Sequence, residues 1–192
     1  MQKLFCGIDL GGTSIKGAIA LANGEVLARD TIPTDSHLGP DDVITRMGDL
    51  VVQLLASIDE QGPTERRSMD TLAGIGIGAP GWVDVLTGTT KFLPNLPTQW
   101  RDIGVADNLA ARFSCPIRLL NDVRMATLGE LRFGHGAERP ELSMAFFSLG
   151  TGVGGGIAID GRVRLGPLGS AGELGHQTVI PDGALCGCGN RG

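Results

Sequence analysis

Four groups of residues have types and spacings that could do chemistry. The first is Asp9-Leu10-Gly11-Gly12-Thr13, with Lys16 three residues on. A carboxylate at a strand end, followed by glycines, leaves backbone N–H groups bare. Such a turn can approach phosphate oxygens while the Asp reaches Mg²⁺ or a bound water. The second is Gly150-Thr151-Gly152-Val153-Gly154-Gly155-Gly156, five glycines in seven positions. That density costs backbone entropy and suits a place where backbone must touch an anion. Gly150, Gly152 and Gly155 also satisfy GxGxxG, but Ile157-Ala158-Ile159-Asp160-Gly161 follows, which reads as a strand and hairpin. Without a helix N-terminus the pyrophosphate site of a dinucleotide fold is missing. Two such turns, each leading into a hairpin, predict two half-sites gripping one nucleotide from opposite walls of a cleft.

The third group is Asn121-Asp122 after the apolar strand Ile117–Leu120. Asp122 is either the cap of the following helix or a general base that accepts a proton from a sugar hydroxyl attacking a γ-phosphoryl group. Asn121 beside it could hydrogen-bond neighbouring hydroxyls. The fourth is Gly169-Ser170-Ala171-Gly172-Glu173-Leu174-Gly175-His176, followed by Cys186-Gly187-Cys188. This segment is either a surface loop or a pair of donor and acceptor side chains suited to a polyol. One imidazole and two thiols amount to three zinc ligands, whereas a structural zinc site is almost always four-coordinate. Bottom-up, metal binding and idle thiols stand level. Cys6 and Cys115 read as inert core thiols, and His37 and His135 as surface residues.

These groups need elements to position them. Lys3–Asp9, Ser14–Leu21 and Glu25–Thr31 read as three strands joined by tight turns, with Asn23-Gly24 as a hairpin signal. From Pro40-Asp41-Asp42, the residues Val43, Ile44, Met47, Leu50, Val51, Leu54, Leu55 and Ile58 recur at helical spacing, ending near Gly62-Pro63. Leu72–Ile77 and Ile117–Leu120 read as buried strands. Ile103–Phe113 and Asn121 to about Phe133 read as helices, and Ser143–Leu149, Gly155–Asp160 and Arg162–Leu165 as strands. The order βββαβαβα, then a second hairpin run, predicts a mixed α/β sheet with helices on its faces. The second run repeats the pattern of the first, which predicts a duplicated unit.

Composition removes several function classes. Glycine is 31 of 192 residues but has no Gly-X-Y period, and hydrophobic residues are 42%. Net charge is −5, with no Tyr, six Phe and two Trp, so neither nucleic acid nor a membrane surface is an expected partner. No apolar run approaches the ~20 residues that span a bilayer, and Asp9 arrives too early for a secretory leader. The expected localisation is cytoplasmic.

Read together, the motifs resemble the ROK family (repressor, open reading frame, kinase) of bacterial sugar kinases and regulators. The matching segments are Asp9–Gly17, Gly74–Asp84, Asn95–Trp100, Leu120–Val123, Leu149–Gly156, Ala171–His176 and Cys186–Gly189, in family order. The resemblance implies a ribonuclease-H-like, actin-type ATPase fold with two lobes around a cleft. Residues 1–120 would form the small lobe and 121–192 the start of the large one, left incomplete. It implies transfer of the ATP γ-phosphoryl group to a hexose, most simply the 6-hydroxyl of glucose. By resemblance Asp122 is the general base, and Gly81, Asn95, Asn121, Glu173 and His176 are sugar contacts. Asp9, Gly11, Gly12, Thr13, Lys16, Gly150, Thr151 and Gly152 are the phosphate and Mg²⁺ framework. His176, Cys186 and Cys188 are ligands of a structural Zn²⁺. A homodimer is implied at full length. The family motif continues past Gly192 with another cysteine, a second sugar-binding glutamate and the adenosine pocket. The chain is therefore expected to be a fragment, truncated before the C-terminal third and inactive alone. The alternatives are a sugar-responsive regulator without its DNA-binding domain and a silent sugar-binding fragment.

Overall fold

The computed structural model describes residues 2–61, 72–93, 96–97, 100–150, 152–186 and 188–192. Two compact units emerge, Met1–Asp122 and Val123–Gly192. The first opens with β1 (Leu4–Leu10), β2 (Ser14–Leu21) and β3 (Val26–Pro33) as an antiparallel meander. Burial along β1 alternates, with Leu4, Cys6, Ile8 and Leu10 inside and Asp9 outside. This is the period-two pattern of a strand with one covered face. Gly24, at φ 90°, closes the β2–β3 turn.

Helix α1 (Pro40–Gln61) starts with proline, whose missing N–H costs nothing in a first turn. Val43, Ile44, Met47, Leu50, Val51, Leu54, Leu55 and Ile58 are all buried, so the helical periodicity is the core face itself. The helix presses on β2 at Gly17, where an added Cβ would lie 2.8 Å from a Leu50 methyl and 2.9 Å from one of Leu54. β4 (Leu72–Ala79) pairs in parallel with β1. Next come β5 (Trp82–Asp84), β6 (Thr89–Phe92) and β7 (Ile103–Gly104), which form a small antiparallel sheet of their own. The short helix α2 (Val105–Ala110) leads to β8 (Ile117–Asn121), parallel to β4. The main sheet therefore runs β3-β2-β1-β4-β8.

The expected helix Ile103–Phe113 is thus corrected to Val105–Ala110. Ile103 pairs with Thr90 in the small sheet, so its apolar side chain serves a strand. At the other end Arg112 and Phe113 turn back to donate to the Leu109 carbonyl.

The second unit contains helix α3 (Asp122–Phe133), whose first residue closes the first unit. Its sheet, ordered β11-β10-β9, comprises β9 (Met144–Leu149), β10 (Val153–Ile159) and β11 (Arg162–Val163). This is again an antiparallel meander, so the expected repeat of the opening pattern holds at the level of topology. Asp160 and Gly161, at φ 52° and 69°, make the β10–β11 turn, the paired left-handed geometry that suits a two-residue hairpin. Phe147, Leu149 and Val153 remain exposed on this sheet. Among the described residues no helix is long and apolar enough to cross a membrane.

Candidate active site

The β1–β2 turn is fastened from one side. The Gly11 amide donates to Ser14 O at 2.9 Å, and an added Cβ on Gly11 would stand 2.8 Å from that same oxygen. Glycine is therefore required there by close approach. Fully buried Thr34 donates its hydroxyl to Gly11 O at 2.7 Å and its amide to Thr13 O at 2.9 Å. Ser36 Oγ donates to Gly12 O at 3.5 Å. Three successive carbonyls are tied down, which fixes the turn while its glycines add no side chains. Asp9 and Lys16 are register partners across the hairpin, 3.3 Å apart and exposed. An exposed pair of this kind contributes roughly 0–1 kcal/mol, so either partner is easily drawn to a phosphate or a cation.

At the same end of that sheet, two strands across, β8 ends in Asn121 and α3 begins with Asp122. Asn121 is 7% exposed, and its Nδ2 donates to the Gly81 carbonyl at 3.2 Å. Gly81 itself sits at φ 77°, a conformation that favours glycine. Two residues assigned to sugar contact by resemblance are therefore held together, next to the carboxylate assigned as base. A carboxylate in the first turn of a helix is stabilised as the anion by the N-terminal dipole. Asn95 and Thr151 lie outside the described residues.

The second glycine run divides into two kinds. Gly154, Gly155 and Gly156 belong to β10, which begins at Val153, two residues before the strand expected from Gly155. An added Cβ would meet Val123 Cγ2 at 2.6 Å from Gly154, Gly172 O at 2.6 Å from Gly155, and Thr127 Oγ1 at 2.1 Å from Gly156. These three glycines let α3 and the Gly172–Leu174 segment lie directly on the strand. Gly150 and Gly152 differ: nothing stands within 4 Å of their added Cβ, so packing does not demand glycine there. They remain the part of the run open to a ligand.

Glu173 precedes a 3-10 turn, Leu174–His176, and is half exposed. Arg124, two residues into α3 and 2% exposed, reaches it: Nη2 donates to Glu173 Oε1 at 2.8 Å and Nε to Ala171 O at 3.1 Å. The other Glu173 oxygen lies 4.0 Å from His176 Nε2. On the opposite side of that ring, Nδ1 is 3.8 Å from Cys186 Sγ. His176, Cys186 and Cys188 place one donor atom each within 4.8 Å of one another. The Cys186 turn is tight: Gly189 N donates to Cys186 O at 2.9 Å and Cys186 N to Asn190 O at 2.8 Å. One imidazole nitrogen and two sulfurs are a donor set that fits Zn²⁺. Among the described residues no fourth such side chain joins them.

Arg124 and Thr34 were invisible as site residues in the sequence. Arg124, Thr127 and Leu131 form the buried face of α3 at positions i, i+3 and i+7. A charged residue on an apolar spacing was the available signal. The remaining candidates behave as expected of bystanders. Burial, with Cys115 adding to it, pushes the Cys6 thiol up to about 12, and burial raises Cys115 as well. His135 pairs with Glu130 at the exposed end of α3.

The "ROK family" model matches residues 5–192. The chain is similar to the glucokinase of Halalkalibacterium halodurans, 38% identical over all of this chain and 55% of that protein. It is also similar to the xylose repressor of Caldicellulosiruptor bescii, 31% identical over 97% of this chain and 44% of the repressor. It thus spans about half the length of these relatives. Among solved structures it resembles a ROK family glucokinase from Streptomyces griseus in complex with glucose and AMPPNP. The TM-score is 0.75 at 34% identity, over 98% of this chain and 55% of that one. The mixed α/β architecture is that of ROK sugar kinases, the actin-type ATPase fold. The chain belongs to the ROK family.

Proposed function

We propose that this chain is the N-terminal part of an ATP-dependent hexose kinase. The observation that carries the reading is the junction of β8 and α3. Asp122 opens the helix, and beside it the Asn121 amide holds the Gly81 carbonyl at 3.2 Å. In this reading Asp122 accepts the proton of a hexose hydroxyl as its oxygen bonds to the γ-phosphorus of ATP. The bond from that phosphorus to the β,γ-bridging oxygen breaks, and ADP leaves. Proton acceptance of this kind is worth about 10²–10⁴ in rate. Asn121 and Gly81 supply donors and acceptors of the kind that sugar hydroxyls require, and Glu173 and His176 are side chains of types that can do the same. The Asp9–Thr13 turn and Gly150–Gly152 would meet phosphate oxygens, with Asp9 and Lys16 free to exchange their pairing for Mg²⁺ and phosphate. His176, Cys186 and Cys188 would hold Zn²⁺, which when bound would staple a segment poor in apolar core. Val179, Ile180 and Leu185 there are exposed.

Likeness to a glucokinase from H. halodurans and to a glucose-bound homologue supports glucose as the first substrate to test. The test is a coupled ADP-release assay on the full-length protein with ATP and a panel of aldohexoses. Turnover with glucose is expected. Sugar binding without turnover on any hexose would overturn the kinase reading. It would also favour the second one, a sugar-responsive regulator, which the likeness to the xylose repressor supports.

A further inference from the structure

We propose that Arg124 is a positioning residue: its buried guanidinium fixes Glu173, and through it the Ala171–His176 segment, on the helix that Asp122 opens. This rests on the reading of Glu173 as a hexose contact. A charged side chain 2% exposed is costly unless its donors are engaged. Arg124 engages two points of one short segment, the Ala171 carbonyl at 3.1 Å and the Glu173 carboxylate at 2.8 Å. The planar fork of a guanidinium can serve both at once. The Ala171 amide also donates to Leu165 O at 2.9 Å, and Gly172 and Gly175 lie close on β10, but none of these contacts reaches the Glu173 side chain. Leu174 is half-buried, Glu173 and His176 are exposed, and a 3-10 turn is its only regular structure.

The contacts also decide which atoms of Glu173 stay available. Oε1 is occupied by Arg124, while Oε2 lies toward His176 Nε2 at 4.0 Å. Arg124 thereby selects one rotamer of Glu173 and leaves one oxygen for a ligand hydroxyl. The glycines of β10 complete the arrangement. Gly155 admits Gly172 O and the Leu174 side chain, and Gly156 admits Thr127 one turn along α3 from Val123. Helix, strand and segment can therefore approach closely enough for the guanidinium to bridge them. A sugar hydroxyl bonded to a carboxylate pinned in this way loses little entropy on binding.

Two readouts test this. In full-length protein, Arg124→Met should raise the hexose KM about 10–100-fold with kcat changed less than about threefold, as outer-shell partners of a binding group do. Arg124→Lys should recover part of the loss. The double variant with Glu173→Gln should be no worse than the weaker single variant, because both remove one interaction. Independently of activity, amide exchange in residues 171–176 should quicken about tenfold in Arg124→Met while β1 and α1 stay unchanged. Additive KM effects, or wild-type protection of residues 171–176, would overturn the proposal. If Glu173→Gln leaves KM untouched while Arg124→Met still loosens the segment, the anchoring stands and the hexose role of Glu173 falls.

Discussion

The glycines of the Gly150–Gly156 run should separate sharply under the same substitution. At Gly156 an added Cβ lies 2.1 Å from Thr127 Oγ1, 3.0 Å from its Cβ and 3.3 Å from its Cγ2. Thr127 is fully buried and its hydroxyl donates to Val123 O at 2.8 Å, so it cannot swing away without losing that bond. Overpacking of a fixed neighbour costs about 1–3 kcal/mol. Against this, Ala relieves an entropic cost of roughly 0.5–1 kcal/mol that glycine carries in a strand. Gly156→Ala should therefore destabilise the second unit by about 1–2 kcal/mol. Thr127→Ala alone should cost about 1 kcal/mol for the lost hydroxyl and methyl. Together they should cost less than the sum by about 1 kcal/mol, since only the 3.0 Å contact to Cβ persists. Gly152→Ala, with nothing within 4 Å, should stay within about 0.5 kcal/mol of wild type. It should instead raise the ATP KM of the full-length protein. Trp82 and Trp100 both lie in Met1–Asp122, so tryptophan fluorescence reports the wrong unit. The assay is urea unfolding followed by hydrogen exchange resolved on β10 and α3. Strict additivity of Gly156→Ala and Thr127→Ala would refute the packing explanation of this glycine.

Three further expectations follow from other parts of the molecule. Thr34→Val keeps shape but leaves Gly11 O without its 2.7 Å donor; chemical denaturation should register about 1–3 kcal/mol of lost stability. Asp84 accepts the Thr87 and Leu86 amides, and the Thr87 bond above all holds its carboxyl below the ordinary value. Its stabilising share is present above the unfolded-state value and is lost as pH falls through the folded one. An acid titration of thermal stability should accordingly show a shallower acid limb in Asp84→Asn, and an unchanged limb would contradict the assignment. Cys186→Ala should weaken Zn²⁺ binding at least about tenfold in competition with a chromophoric chelator, whereas Cys115→Ala should leave it unchanged.

Much of the fold was legible because local pattern and tertiary burial coincide. The α1 periodicity is the core face residue by residue, and the β1–β3 meander follows from alternation interrupted by Gly11-Gly12 and Asn23-Gly24. The β5–β7 sheet was not legible, because three very short strands give too little alternation to distinguish from turns. The same ambiguity lengthened α2, since Ile103 fits a helical spacing and a strand pair equally. In the site, residue types and order were readable, but not what glycine is for. Gly150 and Gly154 look alike in sequence, and only the nearness of Val123 separates them. Nor could spacing place Arg124 beneath Glu173, 49 residues away. That contact exists only once α3 lies on β10.

The most direct measurement is steady-state glucose phosphorylation by full-length Asp122→Asn. That substitution preserves size and can still cap α3, but cannot accept the hydroxyl proton. A fall in kcat of about 10³-fold or more, with glucose affinity within about threefold of wild type, is the result expected of a general base. A fall of less than about tenfold would leave Asp122 as a helix cap and contradict the mechanism.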